Sequence, residues 1–199
     1  MITDAILRGQ KVVLVPYKPE HVEKYHQWMS DPTLQQLTAS EPLTLDEEYE
    51  MQKRWREDPD KLTFIILASE GEGDVPALPM AGDVNLFLKG SPDDEDFEAE
   101  AEIMIAEQAY RRKGFALEAL RLMFAYATSS SADFACPPLP SSILPPPNPL
   151  PISPERLVVR ISEENQPSIS LFQQLGFVVV RVVQVFHEVE MRFRRPQKS

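Results

Sequence analysis

The chain has 199 residues, 43% of them hydrophobic, with one cysteine and a formal net charge of −11. That length suits one domain with a complete core and is short for two. An acidic surface repels nucleic acid, a lone Cys136 can form neither an intrachain disulfide nor a thiolate metal cluster, and no 18 apolar residues run together as a membrane span requires. Met1 to Gln10 holds no apolar run with a cleavage-like flank. These features predict a soluble α/β or α+β domain over residues 1–199, in the cytoplasm with the nucleus also compatible, without metal, nucleic acid or membrane as partner.

Val12 to Val15 reads as a strand closed by Pro16, which cannot donate to a ladder. Glu20 to Met29 has helical spacing at Val22, Tyr25 and Met29; His21 and His26, five apart, do not share a face and make no metal pair. Leu37 to Leu43 either lines an acceptor pocket or simply connects helices. Thr44-Leu45-Asp46-Glu47 is a capping box opening a helix to about Glu57, which Asp58-Pro59 ends.

Leu62 to Leu67 and Met80 to Leu88 read as strands, separated by a polar loop from Ser69 to Pro79. Ser91 to Asp96 is an acidic hairpin end. It leads into a strand from Phe97 to Ile105, in which alternation sets Glu98, Glu100 and Glu102 on one face and Ala99, Ala101, Ile103 and Ile105 on the other.

Arg111-Arg112-Lys113-Gly114-Phe115-Ala116 then passes into an apolar helix to Ala127. A strand, a glycine turn and a helix form a place where successive amides can converge on an anion, because the first amides of a helix lack intrahelical acceptors and its dipole favours negative charge; a basic helix start without a ligand is the alternative. From Ala132 to Pro154 the chain has nine prolines in 23 residues, which predicts an exposed, extended or disordered insertion whose Pro145-Pro146-Pro147 is a weak candidate for a partner site.

Order resumes with a strand at Leu157 to Ile161. Asn165-Gln166-Pro167-Ser168 opens a helix with Ile169, Phe172 and Leu175 on one face, and Gly176 stops it. Phe177 to Val183 and Val185 to Phe193 read as two strands, with Gln184 at a turn or bulge, followed by a basic tail from Arg194 to Ser199.

The spacing Arg111-x-x-Gly114-x-Ala116, set between a strand and a helix, resembles the pyrophosphate-binding turn of acetyl-CoA-dependent N-acetyltransferases of the GNAT superfamily. Asn165-x-x-Ser168-x-x-x-Phe172-x-x-x-Gly176-Phe177 is similar to that family's helix beside the pantetheine arm, although Asn165 as a cap and Phe172 as core filler account for those residues equally when taken alone. Val12 to Tyr17, Leu37 to Thr44, Gly82 to Leu88 and Met104 to Glu107 look like the N-acetyltransferase 9-like branch. The resemblance covers nearly the whole chain, the proline-rich insertion being its main departure.

It implies the acyl-CoA N-acyltransferase fold, a mixed sheet of about seven strands flanked by about four helices, and acetyl transfer from acetyl-CoA to a primary amine, most plausibly a protein N-terminus or lysine. The implied cofactor contacts are Arg111, Arg112, Lys113, Gly114, Phe115, Ala116, Asn165, Ser168 and Phe172, with main-chain pairing to the pantetheine around Ile103 and Ile105 where two neighbouring strands part. Glu100 or Glu102 is the candidate proton acceptor, through water; a solvent-facing strand is the alternative. Phe172 stands where many members carry a tyrosine acid, and Tyr110 or Tyr126 is a weak substitute. A non-catalytic acyl-CoA-binding scaffold and a small-molecule amine acetyltransferase are the competing functions.

Overall fold

The computed structural model describes residues 1, 3–69, 75–147 and 149–195, and the Pro76 side chain is also left aside. Eight strands and five α-helices are present among these residues, one strand and one helix more than expected. The strands belong to one mixed sheet, ordered β1-β2-β3-β4-β5-β6-β8-β7. By contact density the chain forms two compact units, residues 1–85 with 103–119 and residues 86–102 with 120–199.

In the first unit, β1 (Leu7–Arg8) pairs antiparallel with β2 (Val12–Pro16), and β2 with β3 (Lys61–Ala68). Every residue of β2 and β3 is buried, which is why β2 and the Phe64–Ala68 part of β3 read as apolar runs rather than alternations. Pro16 lies inside β2, not after it. Its missing N–H costs nothing there because the β1 ladder ends at Leu14, and Pro16 pairs only with Phe64 of β3. β1 itself, two residues long, was too short to leave a pattern.

Three helices follow the same unit. α1 (Val22–Met29) starts after a 3-10 turn at Pro19–His21. α2 (Pro32–Thr38) was not expected; it has Asp31 as its cap, Pro32 in its first turn and a left-handed stop at Ala39, so Leu37 and Thr38 are helical and the connection shrinks to 39–44. α3 (Leu45–Glu57) opens on the Thr44–Glu47 capping box as read. The core gathers Val13, Val15, Tyr17, Tyr25, Trp28 and Met104 among others.

β4 (Met80–Lys89) and β5 (Glu98–Ile105) cross from one unit to the other. A side chain at Gly82 would place its Cβ 1.9 Å from the Met104 carbonyl, so only glycine lets these two backbones approach. Asn85 of β4 accepts from Thr63 (2.7 Å) and donates to Asp83 (2.6 Å), a buried polar chain the strand pattern did not reveal. The acidic turn 91–96 is fully exposed, as its charge run implied. Of the Ser69–Pro79 loop, 70–74 lie outside the described residues, and Val75–Ala77 form a 3-10 turn.

The second unit holds β6 (Leu157–Ser162), α5 (Gln166–Gln174), β7 (Phe177–Val183) and β8 (Glu188–Phe193), with α4 (Phe115–Thr128) contributing from Leu120 onward. Its core is aromatic: Phe124, Phe134, Phe172, Phe177 and Phe193 pack with ring centroids 4.9 to 5.8 Å apart. Gly176 ends α5 at φ +89°, as read. The β7–β8 connection is a 3-10 turn at Gln184–Phe186, whereas the bulge falls inside β7 between Val179 and Arg181.

The proline-rich segment is corrected by its ends. Phe134 is 2% exposed within the aromatic core, Leu150, Ile152 and Pro154 are buried, and the Ile152 amide donates to Ala127 at 2.9 Å. Prolines leave few donors, but the apolar residues between them still bury, so only the middle of the insertion is an exposed loop. Asn148 within it, and 196–199 of the basic tail, lie outside the described residues. Arg195 pairs with Asp133 and Glu155.

Candidate active site

β5 ends at Ile105, and the chain returns to α4 through a 3-10 turn at Gln108–Tyr110 and a tight loop. Arg112 (φ +62°) and Gly114 (φ +85°) both take left-handed backbone angles, the alternation that turns successive amides toward one point. The first helical bond runs from the Glu118 amide to the Gly114 carbonyl (3.1 Å), so the amides of Phe115, Ala116 and Leu117 have no intrahelical acceptor. Ala116 adds no bulk before them. Arg112 and Lys113 are exposed, and the Phe115 ring is buried against Tyr110.

Arg111 does something more local than its neighbours. Its Nε donates to the Ile105 carbonyl (2.8 Å) and its guanidinium to Ala106 (3.0 Å), which stitches the loop to the strand's end and occupies one of the main-chain acceptors expected to meet the pantetheine. Ile103 and Ile105 are half-buried at that end.

Two residues of this unit were missed in the sequence. The Glu118 carboxylate accepts from the amides of Gln10 (2.8 Å), Lys11 (2.7 Å) and Val12 (3.0 Å), and Lys11 in turn donates from Nζ to the Lys113 carbonyl (2.7 Å). Nothing in the local spacing could have paired positions more than 100 residues apart.

In the second unit, β5 and β6 pair in parallel at Ala99↔Leu157 and Glu100↔Val158 only. Both strands run on, β5 to Ile105 and β6 to Ser162, where β6 stays paired along its other edge with β8. The carboxylate row on β5 is not the open acidic face that alternation suggested. Glu100, 7% exposed, accepts at Oε2 from Arg160 (2.5 Å) and Lys89. Arg160 also meets Glu98 (2.7 Å) and Glu190 (3.3 Å), Arg192 bridges Glu98 (2.8 Å) and Glu190 (2.9 Å), and Arg181 reaches Glu190 (2.8 Å). Burial pushes the Glu190 carboxyl up, but hydrogen bonds from Arg192 and Arg181 outweigh it and hold the group below the usual carboxylate range. Glu102 is exposed.

Glu98, Arg160, Glu190 and both Arg181 and Arg192 line a cleft of about 490 Å³ together with Glu95, Asp96, Phe97 and Val180. On α5, Asn165 caps the helix by accepting from the Ser168 amide (3.2 Å), and Phe172, 3% exposed, lies edge-on to Phe177. Both perform their ordinary structural roles. Tyr126 is buried and donates to the Leu144 carbonyl (3.3 Å); Tyr110 packs on Phe115.

His21 is buried with Nδ1 accepting from the Lys18 amide (3.0 Å), and His26 lies 3.9 Å from Glu48. No group of three His, Cys, Asp or Glu able to hold a metal exists among the described residues, nor is any helix there long and apolar enough to cross a membrane.

The family model of the acetyltransferase (GNAT) domain matches residues 11–178. The chain belongs to this acetyltransferase family. It is an enzyme that uses acetyl-CoA, and its eight-stranded mixed sheet is the acyl-CoA N-acyltransferase fold. This acetyltransferase is 46% identical over 187 residues to alpha/beta-tubulin-N-acetyltransferase 9 of Drosophila melanogaster (92% of this chain, 83% of the relative), and 42% identical over 195 residues to the Homo sapiens protein of that name (95% and 83%).

Among solved structures it resembles RimL, a ribosomal alpha-N-protein acetyltransferase in complex with coenzyme A (TM-score 0.68, 14% identity, 96% of this chain and 98% of that one). A second is the Vibrio cholerae spermidine N-acetyltransferase with CoA and spermine (TM-score 0.66, 16% identity, 92% and 94%). At those identities the likeness concerns the fold.

Proposed function

We propose that this acetyltransferase moves the acetyl group of acetyl-CoA directly onto a primary amine of a protein, an N-terminus or a lysine, with both substrates bound together. Tubulin is the first acceptor to test, because the Drosophila melanogaster and Homo sapiens relatives carry it in their names. The observation that carries the reading is the turn opening α4. Two left-handed residues, a helix start with small Ala116 in its first turn and the cations Arg112, Lys113 and Lys11 form a donor set suited to an anion such as a diphosphate. Any Cβ at Gly114 would stand 3.2 Å from the Lys11 ammonium, so the residue present there keeps that cradle open.

In the reaction, the neutral amine attacks the thioester carbonyl, the C–S bond breaks as the C–N bond forms, and the amine's extra proton leaves through water. Glu102, exposed on β5, is the candidate proton acceptor that meets solvent water, whereas Glu100 is 7% exposed. Phe172 has no proton to give, and a thiol is a good enough leaving group for water to serve. Main-chain groups of β5 beyond the short β6 ladder supply the pantetheine with partners, with the Ile105 carbonyl already used by Arg111.

The test is mass spectrometry of tubulin and of peptide and polyamine panels incubated with purified protein and acetyl-CoA. Acetyl on a protein α-amine or lysine is expected. Transfer to polyamines alone would overturn the acceptor class.

A further inference from the structure

Glu118 sits in the first turn of α4, yet its carboxylate is spent entirely on another part of the chain. Three consecutive amides donate to it at 2.7 to 3.0 Å, those of Gln10 and Lys11 in the β1–β2 turn and that of Val12 at the start of β2. That turn begins at Gly9, where a Cβ would lie 2.7 Å from the Glu118 carboxyl carbon; any larger residue would push the carboxylate out. The consequence is the placement of one side chain. Lys11 is carried to the α4 loop, its Nζ donates to the Lys113 carbonyl (2.7 Å), and it stands 3.2 Å from the position of a Gly114 Cβ.

An ammonium has three donors, and among the described residues one is used. A helix-capping glutamate would have contacted its own helix; a surface lysine would have extended into water. Instead, both are committed to fixing a cation at one rim of the loop. We propose that Lys11 is a direct ligand of the cofactor's phosphates and that Glu118 is its positioning residue, holding the β1–β2 turn against α4. The proposal rests on the reading that the α4 turn holds those phosphates, and it goes beyond it by adding a charge the turn's own spacing does not contain.

Titration calorimetry on the full chain tests this with three probes: CoA, dephospho-CoA and acetyl-pantetheine, which has no phosphate. Lys11→Met keeps the aliphatic stem and is expected to weaken CoA about tenfold, as loss of one charge-assisted contact does, while leaving acetyl-pantetheine unchanged. Lys11→Arg restores most of the affinity. Glu118→Gln, with one acceptor oxygen in place of two, weakens CoA in the same phosphate-dependent way, and Lys11→Met added to it costs little more.

An effect that persists with dephospho-CoA assigns the contact to the diphosphate; one that disappears assigns it to the 3′-phosphate. If Lys11→Met leaves CoA binding unchanged, or weakens CoA and acetyl-pantetheine alike, the inference is wrong while the α4-turn reading stands. If the wild-type protein itself binds CoA no better than acetyl-pantetheine, the α4-turn reading is what fails.

Discussion

Arg160 of β6 donates to Glu100 of β5 at 2.5 Å, directly beside the last parallel pair, Glu100↔Val158, that the two strands make. The same guanidinium serves Glu98 and Glu190, so one side chain satisfies three carboxylates. Where backbone pairing between β5 and β6 stops, side-chain pairing joins them.

Removing that cation should therefore be costly. Arg160→Met leaves Glu98, Glu100 and Glu190 short of a partner in a mostly buried setting, and a loss of about 2–4 kcal/mol is expected in urea denaturation. Part of this loss depends on pH. Glu190's folded carboxyl lies below its ordinary value, so its contribution is present above the ordinary carboxylate range and is lost as pH falls through the folded value. The difference between wild type and Arg160→Met should accordingly narrow in acid; a gap that stays constant to below pH 3 would remove the ionic explanation.

Turnover should separate the two β5 carboxylates. Glu102→Gln is expected to slow acetyl transfer by about 10² with CoA affinity and thermal stability retained, the scale of losing a proton acceptor. Glu100→Gln should chiefly lower stability, since it disturbs Arg160 and Lys89. Steady-state kinetics beside calorimetry decide it: equal rates for wild type and Glu102→Gln would take that residue out of the chemistry.

Gly114→Glu puts bulk and a negative charge at the phosphate turn, at a φ of +85° where an L residue is strained by about 1–2 kcal/mol. CoA binding should be abolished while the melting transition stays cooperative. Undiminished CoA affinity in this variant would show that the phosphates dock elsewhere.

Glu48 offers a stability test in the first unit. It is 1% exposed, its Oε2 has no hydrogen-bond partner among the described residues, and burial raises its carboxyl above the usual range while His26 opposes that. A raised folded value means stability that is complete below the ordinary glutamate value and lost as pH rises through the folded one. Glu48→Gln should thus gain about 1 kcal/mol at pH 7 and nothing at pH 4, measured by denaturation at both.

Gly82→Ala should fail to give folded protein, because the new Cβ would overlap the Met104 carbonyl and neither backbone can retreat. Soluble, wild-type-like Gly82→Ala by circular dichroism would contradict that packing.

The amino-acid order alone determined the parts whose causes lie within a few residues. The Thr44–Glu47 box, the Asn165 cap with Pro167 and the Gly176 stop are local hydrogen-bond and φ requirements, and each is found as read; the glycine turn between β5 and α4 is there too. Runs such as Val12–Val15 and Leu62–Leu67 announced buried strands by composition. The tertiary structure decided what depends on partners far along the chain. Glu100 is neutralised by a residue 60 positions away, Lys11 is delivered to Gly114's loop by Glu118, and Phe134 and Ile152 draw the ends of a proline-rich segment into a core. A charge or a ring carries no record in its neighbours of which distant group will meet it; that is set only when the sheet brings the strands side by side.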